Sequence, residues 1–145
     1  NFIFKTRFIH DITVSALASG NVIKNGRGPD LSFDHHKRAP HDNLFCRIDV
    51  GRGDSIWRCG GGRGLGRHGG ARSTFWAIES KRPLAWPSTG FGPDAMNLVG
   101  VRTRSSMETV EDGRWFEVIE PSLLVPSDLH EAQLRRRLGE SVPAP

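Results

Sequence analysis

At 145 residues and 16.1 kDa the chain has the size of a single domain able to bury a core. An apolar content of 37%, with 17 glycines and 9 prolines, argues against a bundle of long helices and for turn-rich β structure. Twenty Lys and Arg against 16 Asp and Glu give a formal charge of +4, which favours acidic partners, phosphate or uronate carboxylate; no apolar run is long enough to cross a membrane, and no signal-peptide pattern is visible.

The chain begins on Asn1, and NFIFKTRFIH already has a strand pattern, so a piece of a longer or processed protein is expected. Short β-type runs follow in order: FIHDITV (8–14), NVIK (21–24), DLSFD (30–34), NLFCRIDV (43–50), STFWAIE (73–79), MNLVGVRT (96–103) and WFEVIE (115–120). A two-sheet sandwich would carry similar strands, but the ending favours a solenoid of stacked coils over residues 1–126. The segment 127–139 predicts a short amphipathic capping helix, with Ser127 as N-cap, Asp128 and Glu131 at its positive end and Arg135, Arg136 and Arg137 at its negative end. Residues 140–145 are expected to be disordered.

Strand alternation predicts which side chains can meet. Leu31, Phe33 and His35 should face the core, leaving Ser32, Asp34 and His36 on the opposite surface. Leu44, Cys46, Ile48 and Val50 should form the apolar face of the next strand, opposite Phe45, Arg47 and Asp49. Cys46 then points inward, and a buried thiol is favoured over a disulfide with Cys59.

Asp34-His35-His36 is the most chemical stretch. Only Asp34 and His36 share a face, so the triplet is no ready three-ligand metal site, and His41 or another segment would have to complete one. As a pair, Asp34 could orient His36 as a general base. The plainer alternative is structural: His35 in the core and His36 packed beneath the Ala39-Pro40 turn.

The stretch 51–72 holds nine glycines and the five arginines Arg52, Arg58, Arg63, Arg67 and Arg72 against one acid, Asp54. Arginines on a glycine-rich loop can clamp an anion. Gly64, Gly66 and Gly69 satisfy G-x-G-x-x-G, but a strand follows them instead of the helix a dinucleotide site needs, and no G-K-[ST] is present. Nucleic-acid binding is disfavoured because Ile56, Trp57 and Leu65 interrupt the Arg/Gly pattern. Arg52-Gly53-Asp54 is a tripeptide frequent by chance, and the plain reading of the whole stretch is an ordered surface loop. Trp57 and Trp86 are candidate sugar-stacking platforms, with burial the alternative, whereas Trp76 should be buried.

FDHHKRAPHDNLFCRIDVG, the W-R-C-G-G-G run from Trp57, ARSTFWAI and VPSDLHEAQLRRRLG together resemble the C-terminal part of secreted right-handed parallel β-helix proteins of the pectate-lyase-like superfamily. His41, Cys59 and Ala77 stand where that pattern often carries Tyr, Ser and Asn. The resemblance implies an all-β, right-handed parallel β-helix with a C-terminal capping helix, secretion, and cleavage or binding of an acidic polysaccharide. Lyase chemistry requires a uronate carboxylate to be neutralised, by Arg or by a divalent cation such as calcium, and a proton to be removed by a base. The expected catalytic residues are Asp34, His36, Arg58 and Arg72, with His41, Arg63, Arg67, Trp57 and Trp86 contacting substrate. The alternatives are a non-catalytic glycan-binding or structural subunit, whose N-terminal edge would meet further coils or a neighbouring copy, an enzyme of the hydrolase type, and, less favoured, nucleic-acid binding through the Arg/Gly-rich loop.

Overall fold

The computed structural model describes residues 1–36, 38–60, 69–87, 91, 95–105, 108–110 and 113–141. Among these residues nine strands form two sheets. The larger has the order β1 (Phe2–Ile3), β3 (Val22–Arg27), β5 (Leu44–Asp49), β7 (Thr74–Glu79), β8 (Asn97–Val101) and β9 (Phe116–Glu117), and the smaller has β2 (Ile12–Val14), β4 (Phe33–His35) and β6 (Trp57–Arg58). Every strand pair is parallel, and the first six strands alternate between the sheets. Parallel pairing requires a crossover between neighbours, and the other sheet supplies it.

The expected closed right-handed β-helix is corrected. The described residues build two separate sheets of six and three strands, and no closed solenoid is found among them. Among the described residues the smaller sheet ends with the two-residue β6, and β7, β8 and β9 have no counterparts in it. After β7 the chain carries Pro83 and Pro87, which cannot donate to a ladder, and joins its neighbour through a single bridge from Leu84 to Thr103.

The core lies between the sheets. Phe33 of β4 meets Phe45 of β5 and Phe75 of β7 at centroid distances of 4.8 and 5.2 Å, while Phe45 and Phe75 stack at 4.8 Å with nearly parallel rings. Ile48, Ile78, Leu98 and Val101 are fully buried around them. Each such aromatic removes a large apolar area from water, so truncating Phe75 to Ala is worth about 3–5 kcal/mol.

Simple alternation does not survive along these strands. Asn25, Arg47, Ala77 and Gly100 all have positive φ, at 58°, 56°, 53° and 65°, and fall at equivalent points of β3, β5, β7 and β8. The left-handed residue shifts the phase, so core residues recur three apart: Phe45 and Ile48, Phe75 and Ile78, Leu98 and Val101. Phe45 therefore joins the main core, and Cys46 turns to the other side of the larger sheet. There Cys46, Trp76, Ala77, Val99 and Leu124 form a second buried cluster, with Leu129 packed against it.

Leu129 opens the helix α1 (Leu129–Arg137), and its neighbours place the helix on the outer face of the larger sheet rather than over the end of a coil. Asp128, not Ser127, is the N-cap: its side chain accepts from Glu131 N, and Lys24 of β3 donates to it at 2.9 Å. A carboxylate is the stronger cap here because it also draws a cation from the sheet. The structure contains no disulfide between Cys46 and Cys59, as expected of a thiol buried under this helix. Of the tail expected to be disordered, 140–145, Glu140 N donates to Arg135 O at 2.9 Å, and 142–145 lie outside the described residues.

Candidate functional site

The outer face of the smaller sheet gathers His10, Asp34 and His36. In the parallel register Thr13 pairs with Asp34, and Asp34 with Arg58, so these three side chains leave the same face. Thr13 is exposed and Arg58 half-buried, yet Asp34 is completely buried. Alternation places Asp34 on the surface; two imidazoles and the Gly60 backbone cover it.

One oxygen of Asp34, Oδ1, accepts from Gly60 N at 2.9 Å. The other, Oδ2, accepts from His36 Nδ1 at 3.1 Å and, in closer contact, from His10 Nδ1. The imidazole rings are 5.2 Å apart, and one ligand atom from each of His10, Asp34 and His36 lies within 4.8 Å of the other two. Burial alone would raise the Asp34 pKa, but the hydrogen bonds from His10 and Gly60 and the positive charge of the histidines hold it below the ordinary carboxylate value. Asp34 is thus a fixed anion with both oxygens directed.

Local sequence explains how the three meet. Asp11 accepts from Ser32 N through both oxygens, at 3.1 and 3.0 Å, and also from the Ser32 hydroxyl. That latch ties the start of β2 to the start of β4 and brings His10 over Asp34. Gly60 is required for space: a Cβ there would stand 2.5 Å from His36 Cε1 and 2.8 Å from His36 Nδ1. His10 was not among the residues singled out in the sequence. Its only signal is FIHD upstream of β2, and that gains meaning once β2 and β4 are known to pair.

Among the described residues, His41, Arg72, Trp57 and Trp86 do not assemble around this cluster. Arg72 makes a two-pronged ion pair with Asp42, at 2.8 and 2.6 Å, and His41 Nδ1 donates to the same carboxylate at 2.5 Å. Arg72 first, with help from His41, holds the Asp42 carboxyl below its usual range. This second cluster sits on an exposed turn where Asp42 and Arg72 both have positive φ.

Trp57 is half-buried, packs edge-on to Phe75 at 4.9 Å and donates from Nε1 to Ala85 O at 2.7 Å. Trp86 packs edge-on to Phe116 at 4.9 Å. Both anchor to the core through these contacts and remain partly exposed. Arg63 and Arg67 lie outside the described residues. His35 faces the core as expected, with Nδ1 donating to Phe33 O at 3.1 Å, and desolvation by burial lowers its pKa to about 4. It remains neutral and takes no part in the surface chemistry.

A groove of about 760 Å³ also opens beside β3, β5 and β7, lined by Asn25, Arg27, Arg47, Asp49 and Glu79 among others. Its two arginines and two acids cancel, so it offers no preference for an anion. No helix is long and apolar enough to cross a membrane, among the described residues.

Fold and site together define a parallel two-sheet β protein with a buried carboxylate held between two imidazoles. Compared with known proteins, the chain matches no family model, no curated protein and no solved structure.

Proposed function

We propose that the chain binds an acidic, uronate-type polysaccharide on the outer face of the smaller sheet, around His10, His36 and Arg58. The observation that carries this reading is the convergence of two imidazoles on buried Asp34, with Arg58 next to it in the ladder. Three groups able to carry positive charge surround one fixed anion, and a polymer carboxylate can pair with the excess. The overall charge of +4 adds long-range attraction for a polyanion. An external, secreted setting follows from such a substrate and belongs to the same proposal.

The test is binding to a polyuronate and to a neutral glycan of similar length, over a range of salt. Preference for the polyuronate that weakens with salt, and falls about tenfold in His36→Ala or Arg58→Ala, is expected. Equal affinity for the neutral chain would defeat the proposal.

One observation favours cleavage as a second reading. The contact of Asp34 with His36 Nδ1 leaves Nε2 with a lone pair able to take the proton on the carbon bearing the uronate carboxylate. The electrons of that C–H bond would form the ring double bond as the neighbouring glycosidic C–O bond breaks, the departing oxygen taking a proton from water. Ultraviolet absorbance from the unsaturated product, absent in His36→Ala, is the expected signature.

A further inference from the structure

We propose that His10 Nδ1, His36 Nδ1 and an Asp34 carboxylate oxygen form a binding site for one divalent transition-metal ion of the zinc class, with at least one coordination position left open. One ligand atom from each residue lies within 4.8 Å of the other two, and both Nδ1 atoms already contact Asp34 Oδ2. Tetrahedral coordination at about 2.0–2.2 Å requires ligands about 3.5 Å apart, a small adjustment for an exposed His10. His10 lies ahead of β2 and has a half-exposed side chain, so it has room to make it.

The donor set selects the ion. Two imidazole nitrogens and one carboxylate suit zinc and its neighbours, whereas calcium takes six to eight oxygens and magnesium an octahedron of them. With a single carboxylate, the calcium that the polysaccharide resemblance allows as an alternative to Arg has too few oxygen ligands here. The surroundings do what an outer shell must do: Gly60 N fixes Asp34 Oδ1 at 2.9 Å, which aims Oδ2 at the imidazoles. The Asp11-Ser32 latch holds the backbone beside His10, and the absence of a Cβ at Gly60 leaves His36 its position. No fourth His, Cys, Asp or Glu joins the group among the described residues, so water or a ligand anion completes the coordination.

An ion at this point also resolves the charge of the site. With both imidazoles neutral the cluster carries only the Asp34 charge, and a divalent ion turns that local charge from negative to positive without a proton on either histidine. The metal site stands without any polymer. Only the statement that a uronate carboxylate fills the open position rests on the polysaccharide reading. Metal on Nδ1 leaves the proton on Nε2, so a loaded site binds the carboxylate but removes the base that cleavage would use.

The experiment titrates the full chain, stripped with chelator, with zinc chloride by calorimetry and with cobalt(II) by visible absorption. One ion per chain is expected, with binding about 100-fold weaker or more in His10→Ala and in His36→Ala, and unchanged in His41→Ala. His10→Ala alters an exposed side chain, so an unchanged melting temperature without metal keeps the result interpretable. No saturable binding, or parent-like affinity in both variants, overturns the site. Polyuronate binding before and after metal removal then separates the two proposals. Loss on stripping and return with zinc supports both; metal binding without polymer binding overturns the polysaccharide reading alone; polymer binding unaffected by stripping overturns the role of the ion in holding it.

Discussion

Two clusters pair histidine with aspartate, and they differ in what surrounds the carboxylate. Asp34 is fully buried under His10, His36 and Gly60 N, with no ion pair to Lys or Arg among the described residues. Asp42 is exposed and already neutralised by the two-pronged contact with Arg72, with His41 alongside. A carboxylate satisfied by a guanidinium has little left for a ligand. One held only by imidazoles can exchange their protons for a metal ion. Residue types alone are alike in the two places, and burial and the partner decide the chemistry.

Substitution at the two acids should separate the clusters most sharply. Asp34→Ala leaves Gly60 N and two imidazole N–H groups without their acceptor beside a buried cavity, and is expected to cost about 3–5 kcal/mol in urea unfolding. Asp42→Ala removes an exposed pair and should move the unfolding midpoint little. Similar losses at both would mean that burial does not distinguish them.

A pH titration sharpens the same contrast from inside the core. His35 titrates at about 4 when folded against 6.5 as a model group, so between these values the unfolded chain binds more protons. Stability is therefore full above about 6.5 and falls by about 3 kcal/mol as pH drops to 4. Asp34 has a lowered pKa, and its contribution is lost at lower pH, below its ordinary value of 3.8. His35→Leu should flatten the first fall and leave the second, as followed by melting temperature against pH.

Much of the β architecture is legible in the sequence, since all seven expected runs overlap a strand and His35 is inward as alternation requires. Two features are not. The phase shift at Arg47 and Ala77 depends on left-handed backbone at residues that are not glycine, and no propensity marks it; it sends Phe45 inward and Cys46 beneath the helix. The partnership of His10 with Asp34 joins residues 24 apart through sheet register, which nothing local encodes. Asp34 and His36 are legible as a pair, while the cover that buries Asp34 comes from Gly60, read from sequence as part of a surface loop.

Gly60→Ala tests that cover without touching a donor atom. Its Cβ would collide with His36, so zinc affinity is expected to fall about tenfold while the core keeps its melting temperature near that of the parent. At the far side of the larger sheet, Asp128→Ala removes the helix cap and the partner of Lys24 and should cost about 1 kcal/mol, with the imidazole cluster unaffected.

The smallest effect is expected where sequence reading places a catalytic arginine. Arg72 is exposed and committed to Asp42, and the neighbouring backbone would hold the turn without it: Asp42 N donates to Ala71 O at 3.0 Å and Gly20 N to Asp42 O at 3.1 Å. Arg72→Ala should leave metal affinity and polyuronate affinity within about twofold of the parent, because screening confines its influence to its own surface. A loss matching that of His36→Ala would join the two clusters into one binding face and would make Asp42 a partner that releases Arg72 when the polymer arrives.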